Sequence, residues 1–186
     1  GDYFSSSDAK KKLFIAKYSP SFTKIWITTM QTAELAQDLF VGDIALLENG
    51  DFAIVGGSYG TITGSGATPN INDLQGFYGV VAGNNGTVRW VNQDSSTIQN
   101  YGANLLCKGV NLECYTIWKS LVQKTGEVRL YNFGTKAKDD AWTYTFNVRD
   151  SDGIILFRNN SYTNGVLVAF FAPSYKDEVL FFSLLL

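Results

Sequence analysis

The chain has 186 residues, a formal net charge of −2, 45% hydrophobic and 15% aromatic residues, and no histidine. That length and apolar content suffice for a buried core, while the charge offers no basic surface for a phosphate backbone and argues against nucleic acid as a partner. No run of 18 uninterrupted apolar residues exists, so no helical membrane span is expected; the closing VLFFSLLL reads as a buried strand.

Taken in order, residues 1–11 are polar and begin without methionine or a basic-then-apolar pattern, which predicts a parent chain extending upstream. Leu13 to Met30 then reads as a hairpin: an apolar run, a turn at Ser19-Pro20-Ser21, and a second run peaking at Ile25-Trp26-Ile27. The same shape recurs from Phe77 to Gln93 around Asn84-Asn85-Gly86, from Tyr115 to Phe133 around Lys124-Thr125-Gly126, and from Val166 to Leu184 around Ala172-Pro173-Ser174. Aligning Trp26, Trp90, Leu130 and Leu180 gives spacings of 64, 40 and 50 residues, with a mean near one unit of a repeat architecture of roughly 40–50 residues.

A second hairpin type alternates with the first. Between them, residues 31–41 (QTAELAQDLFV) read as a loop with one or two helical turns. Gly42 to Gly60 turns at Asn49-Gly50, the strongest short-range hairpin signal, because both central residues of a type I′ turn need positive φ. Ala103 to Ile117 and Trp142 to Asn160, turning at Asp150-Ser151-Asp152-Gly153, are the later copies. Two consecutive hairpins make a four-stranded antiparallel sheet that cannot bury both apolar faces alone, and radial stacking of such sheets is the β-propeller solution.

Phe14-Ile15-Ala16-Lys17-Tyr18 with Trp26 resembles the FVAKYDxxGNLLW hairpin of bacterial-type β-propeller repeats, and Gly86-Thr87-Val88-Arg89-Trp90 resembles the Gly-x-x-x-Trp turn of quinoprotein-type repeats. The pattern departs from those families where Leu130 and Leu180 replace tryptophan. The expected fold is therefore all-β: a β-propeller-like array of four-stranded antiparallel blades forming one domain over 1–186. About three and a half blades are expected, an orphan hairpin at 13–30 and blades at 42–93, 103–133 and 142–186. As propellers have 4–8 blades, a longer parent chain or other subunits would supply the rest.

Cys107 and Cys114 flank Lys108-Gly109-Val110-Asn111. A turn centred between Val110 and Asn111 sets them opposite each other, along with Leu106 against Tyr115 and Leu105 against Thr116. The choice lies between a cross-strand disulfide, which implies an oxidising compartment, and two buried thiols. Without histidine there is no Ser-His or Cys-His dyad, and no phosphate-cradle or nucleophile-elbow motif appears. Asp150-Ser151-Asp152-Gly153 lacks the closing acid of a calcium loop, since Ser161 stands there. No cofactor or metal is expected. Asp139-Asp140 and Asp177-Glu178 read as solvated turns, and Asn85-Gly86-Thr87 and Asn159-Asn160-Ser161 match the N-glycosylation sequon. Trp26 and Trp90 read as inter-blade core, whereas Trp118 and Trp142, off that alignment, are candidate exposed aromatics. The long loop from Gly56 to Gly76 is a candidate binding loop through Tyr59, Thr61, Asn70, Asn72 and Asp73. The leading expectation is a noncatalytic binding or structural module, extracellular or at a cell surface, with a protein or glycan partner. The alternatives are a fragment of a quinoprotein-like or glycosidase-like propeller enzyme whose catalytic residues lie in missing blades, and a self-assembling fibre or coat subunit.

Overall fold

A computed structural model describes residues 12–34, 37–64, 73–94, 99–107, 111–120, 122–147, 153–158, 166–171 and 179–184. They form strands and turns, without helix, so residues 37–41 lead straight into a strand. Among the described residues thirteen strands make four antiparallel sheets. A two-stranded hairpin pairs β1 (Lys12–Tyr18) with β2 (Lys24–Gln31). Next comes a meander of β3 (Leu39–Leu46), β4 (Phe52–Ser58), β5 (Gln75–Val81) and β6 (Val88–Gln93). A second meander holds β7 (Asn100–Cys107), β8 (Glu113–Ser120), β9 (Thr125–Asn132) and β10 (Ala137–Asn147), and a three-stranded sheet holds β11 (Gly153–Arg158), β12 (Val166–Phe171) and β13 (Val179–Leu184).

All four predicted hairpins of the first type form, as β1–β2, β5–β6, β8–β9 and β12–β13. The Asn49-Gly50 hairpin forms too, with Gly50 at φ 83°. The boundary between the last two expected blades is corrected. Trp142 lies on β10, which pairs with β9, while β11 pairs with β12, so the Trp142 to Asn160 hairpin is replaced by an extension of the preceding sheet. The physical reason is the turn after β9: Asn132 Oδ1 accepts from the backbone N–H groups of Gly134 and Thr135 at 3.0 and 2.9 Å and folds the chain back on itself.

The β3–β6 sheet is buried on both faces, which is why β4 and β5 read as unbroken small and apolar runs rather than alternating ones. Ile54, Phe77, Val81 and Val91 face the first hairpin and meet Trp26 and Met30. Ala53, Val55 and Val80 face the β7–β10 sheet and meet Leu105, Cys114, Trp118, Tyr131 and Phe133. Burying each large apolar side chain contributes about 1.5–3 kcal/mol, so the first hairpin and the two four-stranded sheets depend on one another. First strands lie together: β3 runs against β7, where Asp43 Oδ2 accepts from Leu105 N at 2.9 Å and Asn104 Nδ2 at 2.8 Å, and β11 lies against β7.

Candidate functional site

Where the two four-stranded sheets meet, a cleft of about 360 Å³ opens at the end carrying the β3–β4, β5–β6, β7–β8 and β9–β10 turns. Leu47, Val80, Trp90, Leu112 and Phe133 line it together with Asn49, Asp51, Arg89 and Gly134; Leu47, Val80 and Phe133 are themselves buried and only Trp90 and Leu112 are half-buried, so its open surface is more polar than apolar.

The rim is built by the Asn49-Gly50 turn. Gly50 N donates to Leu47 O at 2.9 Å, and Asp51 N to Asn49 Oδ1 at 3.0 Å, which turns the Asp51 carboxylate inward. That carboxylate is 9% exposed and accepts from Arg89 Nε at 2.7 Å, Arg89 Nη2 at 3.1 Å, Gly83 N at 3.1 Å and Asn49 Nδ2 at 3.2 Å. Two turns and β6 are thereby tied together around one buried charge, which is satisfied as burial requires. The Arg89 side chain is 51% exposed, so its outer edge remains available at the rim.

The wall is an aromatic stack. Trp90 sits between Tyr78 and Phe133, with centroids 5.7 and 5.9 Å away, and the Lys136 ammonium lies 5.5 Å from its ring centroid. Phe133 N donates to Leu112 O at 2.9 Å, joining the two turns that close the far side. Asn111 and Leu112 both have left-handed backbones, at φ 59° and 55°, and a disulfide between Cys107 and Cys114 staples the hairpin that presents them. The pairing of Cys107 with Cys114, Leu106 with Tyr115 and Leu105 with Thr116 is the register expected from the sequence.

Deeper in the seam, Arg129 lies 4.9 Å from the Trp118 ring centroid and donates to Glu127 Oε2 at 2.6 Å, Asp94 Oδ2 at 3.1 Å and Tyr131 Oη at 3.3 Å. Burial pushes the Tyr131 phenol well above its usual range, against the pull of the Arg129 guanidinium, and the ring is neutral in the fold. Burial alone would lower Arg129, but the Tyr131 oxygen and the Glu127 carboxylate together outweigh it and hold the guanidinium charged.

Of the residues singled out in the long loop, Tyr59, Thr61 and Asp73 lie at the opposite end of the β3–β6 sheet. Thr61 donates through N and Oγ1 to the Glu34 carboxylate, both at 2.8 Å. Tyr59 N donates to Asp38 O at 2.9 Å, and Asp73 Oδ1 accepts from Gln99 Nε2 at 2.7 Å. These bonds anchor the loop's two ends; Asn70 and Asn72 lie outside the described residues. Trp118 is corrected from exposed to buried, at 1% exposure. It occupies the central strand β8 with its indole N–H donated to Thr116 Oγ1 at 2.7 Å, and Gly76 leaves the space its ring fills. Trp142 is placed on β10, and its side chain lies outside the described residues. Among the cleft residues, Trp90 and the Asn49-Gly50 turn stood out in the sequence, but as core and as a plain hairpin. Leu112 and Phe133 gave no signal, because their convergence depends on how two sheets pack.

No family model matches this chain, and no curated protein and no solved structure matches it.

Proposed function

We propose that this chain is part of an extracellular, noncatalytic β-propeller-like binding module, and that the seam cleft receives an apolar side chain of a protein partner. The observation carrying this reading is the cleft's composition: the half-buried Trp90 and Leu112, backed by the buried Leu47, Val80 and Phe133, sit beside Asn49, Asp51 and Arg89. A small apolar spot inside a mainly polar surface is the chemistry of an interface anchor site. At about 360 Å³ it stands at the small end of ligand pockets, suited to one or two side chains. The blade-like arrangement is supported by successive four-stranded meanders whose first strands lie side by side. The extracellular assignment is supported by the disulfide, which persists in oxidising compartments.

The test is selection of a displayed random-peptide library on the immobilised chain, with recovered peptides re-measured against a Leu112→Asp variant. Asp tolerates the left-handed backbone at position 112 and places a charge on the apolar wall. Peptides sharing one large apolar side chain and binding this variant at least about tenfold more weakly are expected. Peptides that bind both proteins equally would overturn the assignment of the cleft.

A further inference from the structure

The turn between β5 and β6 carries the sequon Asn85-Gly86-Thr87, none of whose residues lines the cleft. Its backbone is closely specified. Ala82 N donates to Thr87 O at 2.8 Å and Gly86 N to Ala82 O at 2.9 Å, and Gly86 is left-handed at φ 76° beneath the Trp26 indole, where a Cβ would come within 2.6 Å of the ring. Asn85 and Thr87 stand exposed at the tip. The other sequon, Asn159-Asn160-Ser161, lies outside the described residues.

The Asn85 amide is used differently from the other asparagine amides of the sheets. Asn49, Asn92, Asn100, Asn104 and Asn132 each donate Nδ2 to an oxygen of the fold. Asn85 engages only its Oδ1, which accepts from Thr87 N at 3.0 Å. Because Oδ1 and Nδ2 sit on opposite sides of one planar carbon, tying the oxygen to the turn aims the nitrogen outward, where it makes no hydrogen bond among the described residues. Thr87 Oγ1 makes none either, and Gly86 puts no side chain between the two groups. An amide nitrogen and a hydroxyl two residues apart, both exposed and both unused by the fold, are the groups that N-linked glycosylation requires.

We infer that Asn85 is an N-glycosylation site. The inference rests on the extracellular reading given above, because the oxidising compartment that forms the Cys107–Cys114 bond also holds the transferase and its donor, a lipid-diphosphate-linked oligosaccharide. Asn85 Nδ2 bonds to the anomeric carbon of the sugar as the bond from that carbon to the diphosphate oxygen breaks; the diphosphate leaves with the electron pair, and one amide proton passes to a base of the transferase. The position gives the glycan a use. Asn85 lies just before β6, an edge strand of its sheet among the described residues, and a bulky hydrophilic chain there blocks the addition of a further strand. At the same end Gly83 N donates to Asp51 Oδ1 at 3.1 Å, so the glycan also borders the cleft.

Peptide mapping tests this on the natural protein and on Thr87 variants expressed in the same cells. The digest is treated with peptide N-glycosidase in heavy-oxygen water, which converts a glycosylated Asn into heavy-oxygen Asp, and a digest without the enzyme corrects for spontaneous deamidation at Asn85-Gly86. Position 85 is expected as heavy Asp in most copies of the wild type and of Thr87→Ser, and only at background in Thr87→Ala, which removes a hydroxyl the fold does not use. An unlabelled Asn85 in the wild type, or label that persists in Thr87→Ala, would overturn the inference. The same digest left unreduced separates the two readings: an unlabelled Asn85 beside a bonded Cys107–Cys114 pair removes the site alone, whereas one beside free thiols removes the extracellular reading with it.

Discussion

The indole N–H of Trp26 donates to the carbonyl oxygen of Gly83 at 3.1 Å, across the boundary between the first hairpin and the sheet that follows. Lys17 Nζ donates to the same oxygen at 2.8 Å, Thr28 Oγ1 donates to Gly86 O, and the Trp26 ring packs edge-on against Phe52 with centroids 6.1 Å apart. The Trp26 side chain thus contributes to both the polar and the apolar part of this seam.

Replacing Trp26 by Ala is expected to destabilise the protein by about 3–5 kcal/mol, the range for large-to-small aromatic core changes. Trp26→Phe keeps most of the packing and loses one donor to an oxygen that Lys17 still engages, a cost of about 1 kcal/mol. Urea denaturation followed by far-UV circular dichroism measures both. An effect of Trp26→Ala under about 0.5 kcal/mol, the size of a surface change, would mean that the hairpin does not dock on this sheet.

Gly76 and Trp118 predict a second effect. A Cβ on Gly76 would lie 1.9 Å from Trp118 Cζ3, and the ring, fully buried beside Tyr131 and Arg129, has nowhere to move. Gly76→Ala should cost about 1–3 kcal/mol as an overpacked core. Adding Trp118→Leu should recover part of that loss, so the double variant should be more stable than the two separate effects predict.

Reducing the Cys107–Cys114 bond, or replacing both residues by Ser, should lower stability by about 2–3 kcal/mol, the chain-entropy estimate for so short a loop. The bond also fixes the hairpin that presents Leu112, so peptide binding at the cleft should weaken on reduction. Binding unaffected by reduction would show that the staple does not shape the cleft.

Tyr131 predicts an alkaline limb. Its folded pKa lies above the ordinary 10.0, so above pH 10 the unfolded chain has released a proton that the folded chain still holds. Stability is therefore intact below about pH 10 and falls as pH rises beyond it, by up to about 1.4 kcal/mol per pH unit from this residue. Tyr131→Phe should match the wild type near neutral pH to within about 1.5 kcal/mol, the loss of one hydrogen bond, and show a shallower decline above pH 10. Equal alkaline slopes would place the phenol in water.

How much was legible follows from the range of each signal. The Cys107 to Cys114 register was readable because a short turn fixes which residues oppose each other. The first-type hairpins were readable because strand alternation and turn residues lie within twenty residues of each other. The partner of β10 was not: Asp150-Ser151-Asp152-Gly153 reads as a stronger turn than Gly134-Thr135-Lys136, yet Asn132 and a left-handed Lys136 make the second one the hairpin. That single choice moves the repeat alignment. Trp142, and not Leu130, stands on the last strand of its sheet, as Trp90 does on β6 and Trp26 on β2. Trp118 was misread for a related reason, since its burial depends on a glycine more than forty residues upstream. The cleft was least legible of all, because its wall is assembled from four segments that no local pattern connects.

The central claim, that the seam cleft is a receptor for an apolar side chain, is tested most directly by methyl NMR of the intact chain titrated with N-acetyl-phenylalanine amide. Saturable shifts should converge on the methyl groups of Leu47, Val80 and Leu112 and vanish in Leu112→Asp for the two residues that remain. Shifts scattered over the surface, or centred on the loop around Tyr59 and Thr61 at the other end of the sheet, would contradict it.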